Sequence, residues 1–361
     1  MKKVLISNTA LPSKKIGSWT NRITKFLANY PDQFDFILSP TEKPNSKFIF
    51  CKKRKALPSL LAKLLRRSPV LGSCADYFQV LDRLDAAQDQ LHLVVIDDLA
   101  LLEGIALWKS KNLKLQIRLD FSFHGHSFIL PEKWGHLVDR IFFLTHLGYL
   151  DTLRRNGVFI PQIHVVGNGA DATFFYPLSK EEKTKKKLEF GYNPEDKVLI
   201  WVSNNRPKKG LNLFLELAKI LTEKYPNLHA LIIGASLPLL PSNSRIKVIG
   251  KVSNIDLPKY LQLGDIYCFT SLWNEGFGLT LIEAAKSGNV VVASQNGGIP
   301  EVVIGLNASF LVKYPNQLSA WEESFTAAWE LAKTYEPNQE ELAKFHSIEV
   351  WEEKFLKALE S

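Results

Sequence analysis

Short apolar runs alternate with longer amphipathic stretches along this chain, a pattern that predicts repeated β-α units. In the first half the strand-like runs are residues 3–7, 34–38, 48–51, 93–96, 115–121, 140–144 and 163–166. Helical periodicity falls between several of them, as at 19–29 and 147–156. The pattern starts again at 198–202 and continues at 228–233, 246–249, 266–269 and 290–293. Strands alternating with helices in this way argue for an α/β chain with two doubly wound parallel sheets. Between the halves, residues 177–197 are polar. They predict a solvated helix closing at Gly191 and a turn at Asn193-Pro194, with Lys185-Lys186-Lys187 on a surface face. The last segment, 338–359, is amphipathic.

The strongest chemical pattern lies at 274–301. Residues 266–271 (IYCFTS) read as a buried strand, 272–278 as a loop, and a helix begins near Leu279. Glu275 and Glu283 stand with seven residues between them. Gly276-Phe277-Gly278 lets a ligand approach the backbone, because glycine carries no Cβ and accepts positive φ. A helix start leaves N–H groups without partners and its macrodipole attracts phosphate, so the amides from Gly278 through Leu279 to Thr280 suit a diphosphate. Glu275 can accept from sugar hydroxyls, and Glu283, on the face shared with Thr280, from a ribose diol. Each feature alone has a plainer reading: a glutamate in a first turn is often only a partner for the dipole, and Gly-x-Gly only a turn. Together, after one strand and before the next, they point to a nucleotide-sugar.

With these residues the chain resembles the retaining glycosyltransferases of the GT-B fold, in the group marked by a Glu-x7-Glu signature (family four, glycosyl transferases group 1). Ala284-Ala285-Lys286-Ser287-Gly288, the strand at 290–294 and Asn296-Gly297-Gly298-Ile299-Pro300-Glu301 follow that group's pattern. Gly234, Gly250, Asp265 and Ser271 fall at its spacing. The resemblance is strong over 197–312 and weaker in the first half. It implies two Rossmann-like domains facing across a cleft: 1–172 for the acceptor, 173–337 for the nucleotide-sugar donor, and 338–361 as a helix crossing back to the first. It implies transfer of a sugar to an acceptor hydroxyl with retention of anomeric configuration, in cell-envelope glycan or glycolipid synthesis. The nucleotide-diphosphate sugar is then a substrate, and no cofactor is expected.

Four further places carry candidate chemistry. Cations at the strand-to-helix turn Asn204-Asn205-Arg206-Pro207-Lys208-Lys209-Gly210 suit a diphosphate leaving group. In the resembled family an Arg and a Lys before Gly do this work. Lys209 matches the Lys. The commonest Arg position is Asn204 here, and Arg206 is the candidate to replace it, with Asn205 counted among the donor-binding residues. Gly17-Ser18 open the first helix; they resemble a shortened glycine-rich loop over the phosphates, and read equally as an ordinary N-cap. His124, in Phe121-Ser122-Phe123-His124-Gly125-His126, matches the family's histidine near the transferring carbon better than His126 does. A lone histidine is more often structural, and no third ligand at suitable spacing supports a zinc pair. Gly167-Asn168-Gly169-Ala170-Asp171 resembles the family's turn at the domain junction, where Asn and Gly tolerate left-handed backbone. Backbone at Lys251 and Val252 is the family's place for the base. The catalytic set is thus His124, Glu275, Arg206 and Lys209.

Composition narrows the partners. A chain of 361 residues is expected to form two domains. A net charge of +8 points to an anionic partner. Cys51, Cys74 and Cys268 have no metal-ligand spacing and fit a reduced compartment. No run approaches the roughly 18 apolar residues of a transmembrane helix, and Met1-Lys2-Lys3 leads straight into a strand. A cytoplasmic protein is expected, free or peripheral at the inner face of the plasma membrane. Residues 52–67 hold seven cations and no acid, with leucines at helical spacing; they suit an interfacial helix on anionic lipid, or simply a basic surface. No Asp-x-Asp motif occurs, so a metal-bridged diphosphate is not indicated. Two other classes stay open. One is a GT-B protein that binds or epimerises a nucleotide-sugar without transfer. The other is a nucleic-acid binder, which the charge allows but for which no binding module is present.

Overall fold

The computed structural model describes residues 1–13, 18–54, 69–85, 90–112, 114–237 and 241–361. By its internal contacts the chain divides into two compact units, Met1–Val166 and Gly167–Ser361. The first contains strands β1 (Lys2–Ser7), β2 (Phe36–Ser39), β3 (Phe48–Phe50), β4 (Gln90–Ile96), β5 (Gln116–Ser122), β6 (Arg140–Phe143) and β7 (Gln162–Val165). They form one sheet in the order β3-β2-β1-β4-β5-β6-β7, and every pairing is parallel. Alternate residues explain one face of the core. Val4, Ile6, Leu93, Val95, Leu119, Phe121, Ile141 and Phe143 bury together with Leu101, Leu102 and Ile105 of the helix Leu99–Lys109.

The second unit contains β8 (Lys197–Val202), β9 (Leu228–Ile233), β10 (Ile246–Gly250), β11 (Ile266–Phe269), β12 (Val290–Ser294) and β13 (Ser309–Val312). Their order is β10-β9-β8-β11-β12-β13, again all parallel. Leu199, Trp201, Ala230, Ile232, Cys268, Val290 and Val292 pack against Phe214, Leu217, Trp321 and Phe325 of two covering helices. The two doubly wound sheets expected from the apolar runs are present.

Two expectations need correction. The strand β13 was not anticipated; with four residues and only one of them fully buried, it carries too little pattern to read alone. The lysine run is not simply a surface face. It lies on the helix Lys180–Glu189, which opens with a Ser179–Glu182 capping box. Lys187 is buried and its Nζ lies 3.3 Å from the Asp265 carboxylate, while Lys183 comes within 3.1 Å of the same group. Burial of Asp265 forces such pairing, because an isolated carboxylate in the interior is too costly.

The sheet orders matter for function. In each unit the direction of strand addition reverses once, between β1 and β4 and between β8 and β11. Loops leaving neighbouring strands there diverge and open a crevice at the carboxyl ends, the place where such sheets take ligands. Among the described residues no helix is long and apolar enough to cross a membrane.

Candidate active site

The second unit assembles its chemistry at the β8/β11 reversal. The chain leaving β8 forms a 3-10 turn at Pro207–Lys209 and enters the helix Leu211–Lys224 through Gly210. Gly210 has φ +71°, and a Cβ there would lie 2.0 Å from the carbonyl oxygen of Thr270, just past β11. The close approach has a lock: Trp201 Nε1 donates to Thr270 Oγ1 at 2.9 Å, and that hydroxyl lies 3.1 Å from the carbonyl oxygens of Lys209 and Gly210. Lys209 is thereby held beside the loop that carries Glu275. Its ammonium donates to Glu275 Oε1 at 2.6 Å, and Ser271 Oγ donates to the same oxygen.

Glu275 is fixed on its backbone as well. It forms a bridge with Gly297, and Gly298 N donates to Glu275 O at 2.8 Å. Gly297 has φ +62°, and a Cβ there would meet the Glu275 oxygen at 2.5 Å. The helix Leu279–Lys286 begins at Gly278, which has φ +82° and supplies no side-chain cap. The amides of Leu279 and Thr280 accordingly have no acceptor among the described residues. Glu283, one turn into this helix, has a half-buried carboxylate with no hydrogen-bond or ion-pair partner among them. Burial pushes that carboxyl up to about 7.

The remaining candidates of this unit separate by their contacts. Arg206 is exposed beside Lys209 and makes no ion pair among the described residues. Asn205 is spoken for: its amide donates to Ser236 O, and its Oδ1 accepts from Ser236 N at 2.9 Å. The Phe277 ring is buried edge-on to His346, with centroids 5.0 Å apart, and the Leu279 side chain is buried too. Gly276 is also buried, so these residues offer a ligand only their backbone. Thr280 Oγ1 accepts from the Tyr267 hydroxyl at 3.0 Å. Lys251 is exposed and Val252 half-buried beyond Gly250, the last residue of β10, whose φ is +76°.

The first unit gathers a second cluster where β1, β4 and β5 end. His124 Nε2 lies 3.0 Å from Ser122 Oγ, its Nδ1 lies 3.2 Å from Arg22 Nη2, and its backbone N–H donates to Asp97 Oδ1 at 3.0 Å. Trp19 packs edge-on against the ring at 5.3 Å. Burial, with the Arg22 charge added, holds the imidazole pKa well below its ordinary value, so the ring is neutral near pH 7. Burial raises Asp97 to about 6 and lowers Arg22 to about 9. Asp97 has φ +52°, a left-handed backbone that few non-glycine residues adopt. His126 bonds Asp151 at 2.8 Å through Nε2. Gly17 lies outside the described residues; Ser18 starts the first helix, Ser18–Asn29. Residues 55–67 of the basic segment also lie outside them, while Lys53 pairs with Asp98 at 2.5 Å and Arg54 with Asp76 at 2.6 Å.

Comparison with known proteins bears on the second unit most directly. Residues 180–340 match the model of the family described as glycosyl transferases group 1. Over that stretch the second unit is similar to this family. N-acetyl-alpha-D-glucosaminyl L-malate synthase of Bacillus anthracis is 31% identical over 151 residues, which is 39% of this chain and 38% of that protein. The chain spans between a third and half of the length of the curated relatives it matches. Solved structures match along the whole length. Sucrose-phosphate synthase of Thermosynechococcus elongatus superposes with a TM-score of 0.72 at 12% identity, covering 100% of this chain and 98% of that one. HepE of Anabaena, solved in complex with UDP and glucose, gives a TM-score of 0.69 at 17% identity and covers 100% of both chains. The fold is GT-B.

Within this fold, sequence reasoning missed Ser271 as a partner of Glu275, and Arg22 and Asp97 as partners of His124. For Ser271 the family spacing was the available signal. Asp97 stands beside a second carboxylate at a strand end, a visible sign. Arg22 sits inside an ordinary helical pattern and gave none.

Proposed function

We propose that this protein transfers a sugar from a nucleoside-diphosphate sugar to an acceptor hydroxyl, as a retaining glycosyltransferase. The observation that carries the reading is the Lys209–Glu275 ion pair beside the open amides of Leu279 and Thr280, with the unpartnered Glu283 carboxylate one turn further on. Unpaired donors and a cation suit a diphosphate; an unpaired acceptor suits a diol.

In this reading the diphosphate is held by Lys209, Arg206 and the amides from Gly278 to Thr280. Glu283 accepts from the ribose hydroxyls. Glu275 and the Gly276–Gly278 backbone take hydroxyls of the sugar, and Lys209 loosens its grip on Glu275 as phosphate arrives. The glycosidic bond breaks toward an oxocarbenium-like state, and charge growing on the leaving phosphate is what the site stabilises most. Backbone at Lys251 and Val252 serves the base. Gly17 and Ser18 remain proposed phosphate or sugar contacts, and His124 a hydrogen-bonding group of the first unit for the acceptor. Retention follows the family. A role in envelope glycan or glycolipid synthesis, and peripheral attachment to a membrane through 52–67, belong to the same proposal.

UDP-, GDP- and ADP-sugars screened for thermal stabilisation test the donor first, with UDP-glucose leading because HepE was solved with UDP and glucose. A donor at about 100 times its dissociation constant adds about 2.7 kcal/mol, a shift of several degrees. Release of nucleoside diphosphate and an NMR spectrum of the product then report transfer and anomeric configuration. Donor binding with no transfer to any hydroxyl acceptor, or conversion of one nucleotide-sugar to another, would move the protein to the binding or epimerase class. No stabilisation by any nucleotide-sugar removes the proposal.

A further inference from the structure

The segment Gly276-Phe277-Gly278 carries the backbone assigned to the donor sugar, yet its one side chain, Phe277, is buried. One neighbour of that corner is Ile299: a Cβ added at Gly278 would lie 2.7 Å from its Cδ1. Another is His346, edge-on to the Phe277 ring at 5.0 Å and 80°. The same imidazole reaches a second element. Its Nε2 lies 2.8 Å from Val302 O, at the end of the helix Ile299–Val302. A carbonyl only accepts, so Nε2 carries the proton and donates. Burial, helped by the Lys286 and Lys354 charges, holds the imidazole pKa below its ordinary value, so the ring is neutral near pH 7. One ring thus ties the Gly-Phe-Gly loop to the helix that follows Gly297 and Gly298, the residues that pin the Glu275 backbone.

His346 is itself firmly placed. Its φ is +42°, a left-handed backbone uncommon outside glycine. Ala170 N donates to its carbonyl oxygen at 3.0 Å, and Ala170 forms a bridge with Ser347. A Cβ at Gly169 would lie 2.4 Å from Ser347 O. Ahead of it, the buried Lys286 ammonium donates to Leu342 O at 2.6 Å and to Ala343 O at 2.9 Å. That fastens the helix Gln339–Lys344 to the helix that starts at Gly278. Strain of this kind persists only where the surroundings over-determine it. Here they do so around a ring aimed at the donor loop.

We propose that His346 is a positioning residue for the sugar half of the donor: through Phe277 and Val302 it fixes the Gly276–Gly278 backbone and the bridge at Glu275. It acts through these neighbours and touches no substrate. The assignment to the sugar rests on the donor reading of that backbone.

His346→Asn tests it, because asparagine accepts a left-handed backbone while removing both the ring and the Nε2 donor. Hydrogen exchange of the free protein is read first. The amides of Leu281 and Ile282 donate to Gly278 O, and that of Gly298 to Glu275 O. All three are expected to exchange about tenfold faster in the variant, for loss of one ring contact and one hydrogen bond. Amides of β8 and β9 should keep their rates. Affinities for UDP and UDP-glucose are read second. UDP-glucose is expected to bind about tenfold more weakly. UDP should stay within about twofold, since Lys209 and Glu283 lie outside these contacts. His346→Gln, which can again donate to Val302 O, should recover part of both effects. Phe277→Leu thins the same contact from the loop side; it should give the same ordering, and it stands in should His346→Asn not fold. Unchanged exchange at the three amides overturns the proposal. So does faster exchange throughout the unit, or UDP weakened as much as UDP-glucose, either of which makes His346 a general support. The two readings fail separately. A protein that binds UDP-glucose but shows no local rise in exchange keeps the donor reading and loses the role of His346. One that ignores every nucleotide-sugar yet exchanges faster at the three amides keeps the hold of the ring on the loop and loses the donor reading, and the sugar role with it.

Discussion

Each unit places charged groups where its strand order reverses, and the two leave them in opposite states. In the second unit, two helix-start amides and the Glu283 carboxylate have no partner among the described residues. In the first, His124 is engaged at both ring nitrogens and at its backbone, and half-buried besides. An interior polar group without a partner is costly, so a fold that keeps several together at one place is completed by a ligand. A group satisfied from every side is instead held in one geometry and one protonation state. The comparison predicts that substitutions in the second unit register in turnover, and those in the first in stability as well.

The largest effect is expected at Lys209 and Glu275. Alanine at either should lower kcat on the nucleotide-sugar by about 100- to 1000-fold, the range seen when one preorganised electrostatic partner is lost. The free energy of unfolding in urea should fall by no more than about 1 kcal/mol, since the ion pair is partly exposed. Large unfolding in both variants would make this pair structural and erase the contrast.

Next comes Gly210→Ala. The added Cβ meets backbone, not a flexible side chain, at a positive φ. A loss of about 2–4 kcal/mol in urea unfolding is expected, with donor binding weakened in step because Lys209 moves. His124→Ala should cost about 1–3 kcal/mol from unpaired neighbours, with a loss of kcat/KM of about tenfold. Its neutral ring should add no titration between pH 6 and 8. A variant silent in stability would reverse the comparison.

Glu283→Gln sharpens it through pH. The native carboxyl titrates near 7 and the unfolded one near its ordinary 4.5. Between those values the native state holds more protons, so stability of the free protein falls as pH rises from about 4.5 through about 7. Melting temperatures across that window should flatten in Glu283→Gln. Donor affinity should do the reverse in the wild type, rising with pH as the accepting carboxylate forms, and should drop about tenfold in the variant. The smallest effect is expected for Asn205→Ala, about 1 kcal/mol in stability from the lost Ser236 bonds, with turnover within about twofold.

Readable along the chain alone were the strand runs of both sheets apart from β13, the glycine turns, and the spacing of Glu275, Glu283 and Lys209 within their own segments. Apolar periodicity and backbone freedom are properties of neighbouring residues, so they are legible along the chain. Packing of distant segments sets β8 beside β11, which brings Lys209 to Glu275 across 66 positions, and lets Arg22 reach His124 across 102. It also buried Lys187 on Asp265 and left Glu283 without a partner. Burial and pairing depend on which distant segments pack together, and strand order, the quantity that settles this, has no local signature.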